Sequence, residues 1–191
     1  MEKCVVDLFS ATTQIKPDYF RALGTRFDQT QYPQNIEQSF SAELYHRFKL
    51  IMDLPVNSSY YNNLMLNFDI TKAAVDSRPD LVLHENQANR NNQKMFVEVK
   101  TNPEADLSGD FSKLIMATDN YLSFNNSVLI VVNRPFADLL QTIYGYNDFY
   151  ILNPERKAKI YIISIFHNPE TNQEIDYNLY SIKFLPNTRR R

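Results

Sequence analysis

Apolar side chains recur at helical spacing in the first strongly patterned part of the chain. Between positions 35 and 52 they follow one another at steps of three or four residues, which is typical of an amphipathic helix with one buried face. We therefore predict a helix over residues 35–52 whose inward side chains are Ile36, Phe40, Leu44, Phe48 and Ile51. Residues 1–33 lack such a pattern and contain breaks at Pro17, Gly24 and Pro33. We expect an irregular N-terminal arm there, followed by a single domain over residues 34–191.

Shorter apolar segments with the character of β-strands follow the first helix. The predicted strands are residues 64–70, 80–85, 95–101, 127–133, 159–166 and 177–184. The polar stretch 87–93 favours a hairpin between the second and third strands, and helical spacing returns at residues 107–122 and 135–144. The fold class is therefore predicted as α/β, with a mixed central β-sheet flanked by helices.

Composition narrows the classes of protein to which the chain can belong. The 191 residues include only three glycines, Gly24, Gly109 and Gly145, and no pair of them forms a phosphate-binding loop. Cys4 is the single cysteine, which excludes an internal disulfide and favours a reducing compartment. No stretch approaches the roughly 20 apolar residues of a membrane span, and charge interrupts the N-terminus too early for a signal peptide. We expect a cytoplasmic protein with no membrane partner.

Candidate chemistry is concentrated where the second and third predicted strands meet. Side chains alternate across a strand, so Glu98 and Lys100 project from the same face of the third strand. Asp80 opens the neighbouring strand, and pairing of the two strands would bring it beside Glu98. Two carboxylates suit a hard cation such as Mg²⁺ or Mn²⁺, and a nearby amine can stabilise the charge that develops at a phosphate.

The motif formed by these residues resembles that of the PD-(D/E)XK nuclease superfamily. The resemblance is carried by Arg78-Pro79-Asp80 and by Phe96-Val97-Glu98-Val99-Lys100 after a polar turn, and it covers residues 35–133. It implies a restriction-endonuclease-like core in the order αβββαβ. It also implies that Asp80 and Glu98 bind Mg²⁺ or Mn²⁺, and that Lys100 is catalytic.

The resemblance also implies further site residues on the two helices. Many members of the superfamily add a glutamate from the first helix, for which Glu37 and Glu43 are the candidates, with Glu43 slightly favoured. Lys113 lies in a D-x-x-K-L segment of the second helix and is a candidate for contact with nucleic acid. Asp69 is a further possible acidic neighbour. The implied activity is nucleic-acid hydrolysis, on DNA rather than RNA, and a homodimer that cuts two strands is a further expectation.

Each candidate also has a structural explanation. Glu98 and Lys100 fit a solvated strand face, and Pro79-Asp80 fits a simple turn that leads into a strand. Glu43 and Arg47 are spaced to pair on a helix surface, and Lys113 fits a solvated charge. The net charge of −2 and calculated pI of about 5.9 do not indicate a nucleic-acid binder. A catalytically inactive nucleic-acid- or protein-binding module with the same fold therefore remains the alternative, as does an enzyme acting on another phosphate ester. His84 lies on the same face as Asp80 and is a weak candidate to line the site, but a packed or surface histidine is the simpler interpretation. Arg189-Arg190-Arg191 suits either phosphate binding or a disordered tail.

Overall fold

The computed structural model describes residues 1–19, 23–25, 31–33, 36–68, 78–85, 92–120, 122–167 and 174–185. Its helices are α1 (Lys3–Thr12), α2 (Glu37–Met52), α3 (Ser58–Tyr61), α4 (Ser108–Ala117), α5 (Phe136–Gly145), α6 (Asn147–Ile151) and α7 (Pro154–Lys157). Its strands are β1 (Leu23–Thr25), β2 (Gln31–Pro33), β3 (Met65–Phe68), β4 (Leu81–His84), β5 (Gln93–Lys100), β6 (Asn126–Val132), β7 (Ile160–Phe166) and β8 (Asp176–Ser181). Single 3₁₀ turns lie at Pro17–Tyr19, Pro55–Asn57 and Ile182–Phe184.

Six strands form one mixed sheet in the order β3-β4-β5-β6-β7-β8. The first three are antiparallel, β5, β6 and β7 are parallel to one another, and β8 is antiparallel to β7. Parallel neighbours need a crossover connection, and α4 lies between β5 and β6 in the chain. The prediction of an α/β fold with a mixed, helix-flanked sheet is confirmed, and α2, β3, β4, β5, α4 and β6 follow in the predicted order.

Helices cover both faces of this sheet and bury a separate apolar cluster on each. Met95, Val97 and Val99 of β5 join the cluster under α1 and α2. Phe96, on the opposite face of β5, joins the cluster under α4, α5 and α6. Because side chains alternate along a strand, Glu98 lies on the α4 side, in a strand whose residues 95–99 are all buried.

The prediction of an irregular N-terminal arm is wrong for residues 3–12, which form α1. Leu8 and its apolar neighbours at helical spacing are fully buried and pack in the same cluster as α2. Lys3 and Asp7 on the same helix form an ion pair of 2.8 Å. The buried stripe is only two to three turns long and is interrupted by charge in the sequence, so its tertiary partners, more than its own pattern, stabilise this helix. Residues 23–25 and 31–33 pair as the antiparallel strands β1 and β2.

The remaining differences from the predicted elements lie at their ends. The helix predicted to reach residue 122 ends at Ala117, and the strand predicted to reach residue 184 ends at Ser181, before a 3₁₀ turn. The short helices α3, α6 and α7 have too few turns to produce a periodic pattern. The continuous apolar run at β6 is buried at all seven positions, as predicted. Within the ranges described above, no helix is long and apolar enough to cross a membrane.

Candidate functional site

The hairpin of β4 and β5 brings Asp80 to Glu98. Leu81 pairs with Val97 in an antiparallel register. Asp80 comes directly before Leu81, and Glu98 comes directly after Val97. Asp80 therefore lies opposite Glu98. The backbone N–H of Val99 donates a hydrogen bond of 2.7 Å to Asp80 Oδ2, which anchors this carboxylate to the strand that carries Glu98.

Glu98 is almost completely removed from solvent, with 2% of its surface exposed. Its Oε2 accepts a hydrogen bond of 3.3 Å from Lys113 Nζ. Its Oε1 is also buried, and it has no hydrogen-bond partner among the residues that the structure describes. A buried carboxylate oxygen without a donor is energetically costly, so this atom marks a position suited to a cation or another donor.

Lys100, at the end of β5, is held by carboxylates from two helices. Its Nζ lies 3.0 Å from Glu37 Oε1 and 3.8 Å from Asp110 Oδ2. Glu37 is the first residue of α2, so the start of that helix reaches the sheet edge at which β5 ends. The Lys100 side chain is 21% exposed, so it is partly accessible to solvent while its ammonium is held by these carboxylates.

Asp110 links the two lysines across the start of α4. Its Oδ1 lies 3.1 Å from Lys113 Nζ, one helical turn away, and its Oδ2 is the atom nearest Lys100. The side chain is only 8% exposed. The D-x-x-K-L segment drew attention to Lys113 but not to a site role for Asp110. A sequence signal was nevertheless present, because the aspartate lies three residues after Leu107 and four residues before Leu114, which are both fully buried.

Together these side chains form what we term the carboxylate–lysine cluster: Glu37, Asp80, Glu98, Lys100, Asp110 and Lys113. When every member is ionised, the four carboxylates exceed the two ammonium groups by two charges. One divalent cation carries the charge that would balance this excess. Among these six side chains, negative charge therefore exceeds positive charge.

Burial shifts the proton equilibria of the two strand-borne carboxylates. Removal from water raises the pKa of Glu98 to about 8, although the charge of Lys113 opposes the shift. The same desolvation raises the pKa of Asp80 to about 6, and the Val99 N–H opposes it. For Lys100, burial lowers the pKa, but the hydrogen bond to Glu37 and the surrounding carboxylates outweigh burial, so the net direction is upward. The pKa of Lys100 is raised because carboxylates surround it, and the pKa values of Asp80 and Glu98 are raised because their negative charges are buried. Both effects are expected at a site that has too little positive charge.

The donor set fits a magnesium-type ion better than a metal caged by protein alone. Among the described residues, no group of three or more His, Cys, Asp and Glu side chains is arranged to hold a metal ion. Mg²⁺ keeps several waters and is commonly held by one or two carboxylates together with substrate phosphates. Asp80 and Glu98 supply such a pair, and the buried Oε1 of Glu98 offers an oxygen that is not already hydrogen-bonded within the described part of the chain.

Other predicted site residues lie apart from the cluster or outside the described chain. The slight preference for Glu43 over Glu37 is not supported, because Glu43 Oε1 accepts from Arg47 Nε at 2.6 Å while Glu37 contacts Lys100. A helical wheel shows which face a residue occupies, but not which end of the helix reaches the sheet edge. Asp69 and Arg189-Arg190-Arg191 lie outside the described residues.

His84 is also separate from the cluster. It closes β4 at the end opposite Asp80, it is fully buried, and its Nε2 contacts the Asn67 side-chain amide of β3. Four residues of extended chain, roughly 13 Å at the usual rise per residue, separate it from Asp80. Its surroundings are those of a histidine packed in the sheet.

Asn133, which the motif did not indicate, ties together the strand ends beside the cluster. Its backbone has a φ of 66°, a left-handed conformation that asparagine tolerates better than most residues. Its Nδ2 donates to the carbonyl oxygen of Thr101 at 3.3 Å, and its backbone N–H donates to that of Ile165 at 2.8 Å. The residue therefore fixes the chain immediately after Lys100 against β6 and β7.

Comparison with known proteins adds no further assignment to this geometry. The chain matches no protein-family model, no curated protein and no solved structure.

Proposed function

We propose that this protein is a metal-dependent nuclease that hydrolyses phosphodiester bonds with Mg²⁺ or Mn²⁺ at Asp80 and Glu98. The observation that carries the proposal is the convergence of three groups at one sheet edge. Asp80 is anchored by the Val99 N–H opposite the buried Glu98. Lys100 projects from the same face of β5, two residues further on, and its ammonium is held by Glu37.

Each member of the cluster has a distinct part in this chemistry. Asp80 and Glu98 would hold the metal ion, which when bound polarises a phosphate oxygen and acidifies a water. Lys100 keeps its proton beside Glu37 and Asp110, so it can donate hydrogen bonds to the attacking water or to the phosphate oxygens as charge develops. Glu37 fixes the direction of that ammonium. Lys113 compensates the buried charge of Glu98 and lies close enough to the solvent to contact a nucleic-acid backbone.

The sequence resemblance to PD-(D/E)XK nucleases supports the same assignment. The order of α2, β3, β4, β5, α4 and β6 agrees with the restriction-endonuclease-like core that the resemblance implies, and the motif residues lie at one site. DNA is the preferred substrate over RNA on the basis of that resemblance.

The proposal predicts nucleic-acid cleavage that requires Mg²⁺ or Mn²⁺ and depends on these residues. Lys100→Ala should lower the cleavage rate by about 10²- to 10³-fold, as expected for loss of a preorganised charge at a transition state, and Asp80→Asn should abolish metal-dependent cleavage. A suitable assay follows labelled single-stranded and duplex oligonucleotides on denaturing gels, with and without EDTA.

Lys94→Ala is the matched control for Lys100→Ala. Lys94 lies on the same strand, but its Nζ pairs with Glu85 at 3.6 Å, near the other end of the hairpin. Its removal should leave cleavage close to that of the unaltered protein. Equal cleavage by the unaltered protein, Asp80→Asn and Lys100→Ala would show that the hydrolysis arises elsewhere.

A non-enzymatic module with the same fold is the second candidate. The observation that favours it is that both lysines of the cluster already form ion pairs with Glu37, Glu98 and Asp110. A purely structural role for the cluster would account for these ion pairs as well. This alternative predicts that no divalent metal supports cleavage of any oligonucleotide in the same assay. Substitutions in the cluster would then change stability alone.

A further inference from the structure

A second surface, which we term the aromatic row, is formed by Phe136, Tyr180 and Phe184. The rings of Phe136 and Tyr180 are 5.8 Å apart between centroids, and those of Tyr180 and Phe184 are 6.4 Å apart. Phe136 and Tyr180 are half-buried, whereas Phe184 is 64% exposed. A large apolar ring held at the surface beside two others is the kind of exposure that points to a binding role.

A lysine lies at the exposed end of this row. The ε-ammonium of Lys183, itself exposed, lies 4.7 Å from the centroid of the Phe184 ring. Residues 177–191 contain Lys183 and three arginines and no acidic residue, although the whole chain has a net charge of −2. The charge of this part of the chain is therefore opposite in sign to that of the whole protein.

Helix α7 adds to the positive field. It packs against the 3₁₀ turn that carries Lys183 and Phe184, and it contains Arg156 and Lys157 against a single acid, Glu155. The Arg156 guanidinium donates to the carbonyl of Ile115, and the Lys157 ammonium lies over the ring of Phe149. These two cations are committed to the fold, but their charges still raise the local potential.

One end of the row is close in sequence to the strand ends beside the carboxylate–lysine cluster, and the other end lies on the outermost strand of the sheet and the turn after it. Phe136 is the first residue of α5 and follows closely after Asn133, which is bonded to Thr101 beside Lys100. Tyr180 lies on β8, beyond β7, and Phe184 lies past the end of β8.

We propose that the aromatic row binds single-stranded nucleic acid, with bases stacked on Tyr180 and Phe184 and a phosphate held by Lys183. The choice of nucleic acid as the ligand rests on the proposed function. Aromatic rings combined with cations form binding surfaces for single strands, because every base has a face that can stack. In a duplex those faces are already stacked on one another, so the row selects single-stranded over double-stranded segments.

The test measures binding without hydrolysis. Fluorescence anisotropy with a fluorescein-labelled 15-nucleotide thymidine strand, in EDTA, reports the affinity of the full chain. Phe184→Ala should weaken binding by about 5- to 100-fold, the range expected for loss of one base-stacking contact. Phe184→Leu should weaken binding to a similar degree, whereas Phe184→Tyr should retain it. Lys183→Ala should weaken binding and reduce its dependence on salt concentration.

Val56→Ala is the matched control, since Val56 is an apolar side chain that is 81% exposed and belongs to the 3₁₀ turn after α2. It should bind the strand as the unaltered protein does. A duplex of the same length should bind with the same affinity to the unaltered protein and to Phe184→Ala. Thermal melting checks that each variant is folded.

Several results would overturn the proposal. One is a Phe184→Ala variant that binds the single strand as tightly as the unaltered protein, and another is an equal loss of affinity for strand and duplex. A third is an effect of Phe184→Ala that is confined to self-association in sedimentation, which would indicate a protein interface. EDTA removes hydrolysis from the measurement, so the two proposals fail separately. Metal-dependent cleavage with no effect of Phe184 rejects only the aromatic row, and strand binding without cleavage by any metal rejects only the nuclease.

Discussion

Glu98 is the most buried of the four carboxylates in the carboxylate–lysine cluster. Its position is imposed by β5, whose alternation places it on the α4 side between residues that pack in the core. Lys113 compensates one oxygen, while the other has no donor among the described residues. A residue chosen for stability alone at this place would be apolar. The energetic cost of this carboxylate is the sort of local conflict that is expected at functional sites.

That cost predicts how the stability of the metal-free protein depends on pH. The Glu98 carboxyl has a pKa of about 8 in the folded chain and 4.5 as its ordinary value, so the folded state binds more protons between these limits. The free energy of unfolding must then fall as pH rises through this window. The smaller rise in the pKa of Asp80, to about 6, acts in the same direction at lower pH.

Urea unfolding in EDTA at pH 6 and pH 8 measures this effect. The unaltered protein should lose on the order of 2 kcal/mol between the two values. Glu98→Gln, which has a similar shape but cannot titrate, should lose much less and should be the more stable of the two at pH 8. An unfolding free energy of the unaltered protein that stays constant or rises from pH 6 to pH 8 would contradict the burial argument.

One hairpin and two helices meet at the cluster, and each fixes a different part of it. The β4–β5 register brings Asp80 to Glu98, the start of α2 brings Glu37 to Lys100, and the start of α4 brings Asp110 and Lys113 across the same sheet edge. The site therefore depends on where the helices begin relative to the sheet.

This dependence explains which parts were predictable from the sequence. Strands β5 and β6 and helix α2 have long, strongly periodic or continuous apolar patterns, so they were predicted, and alternation alone placed Glu98 and Lys100 on one face. The choice between Glu37 and Glu43, and the membership of Asp110, depend on how helices are positioned over the sheet, which no local pattern encodes. Helix α1 was not predicted for a related reason. Its apolar stripe is short, and its burial depends on packing against α2, which the local sequence does not encode.

The position of α2 predicts a difference between its two glutamates. Glu37→Gln removes the charge that holds Lys100 and should lower the cleavage rate by about 10- to 100-fold, as expected for a hydrogen bond to a charged group. Glu43→Gln disturbs the ion pair with Arg47 and should change the cleavage rate by less than about threefold. The comparison uses single-turnover cleavage at saturating metal. A larger loss in Glu43→Gln than in Glu37→Gln would mean that the helix presents its other glutamate to the reaction.

Charge is distributed unevenly over the whole molecule. The carboxylate–lysine cluster has an excess of carboxylates at the sheet edge where β5 ends, and in the sequence residues 177–191 contain four basic residues and no acidic residue. A net charge of −2 hides this uneven distribution. The acidic sum is compatible with a nucleic-acid substrate once a divalent ion and the basic region are considered together.

The central claim is that Asp80 and Glu98 form a divalent-metal site. Titration with Mn²⁺, followed by electron paramagnetic resonance, tests this claim most directly, because free and bound Mn²⁺ give distinct signals. The account predicts saturable binding near pH 8 by the unaltered protein and by Lys94→Ala, with binding lost in both Asp80→Asn and Glu98→Gln while the variants remain folded. Binding of Mn²⁺ by those two variants with unaltered affinity, or no saturable binding by the unaltered protein, would contradict it.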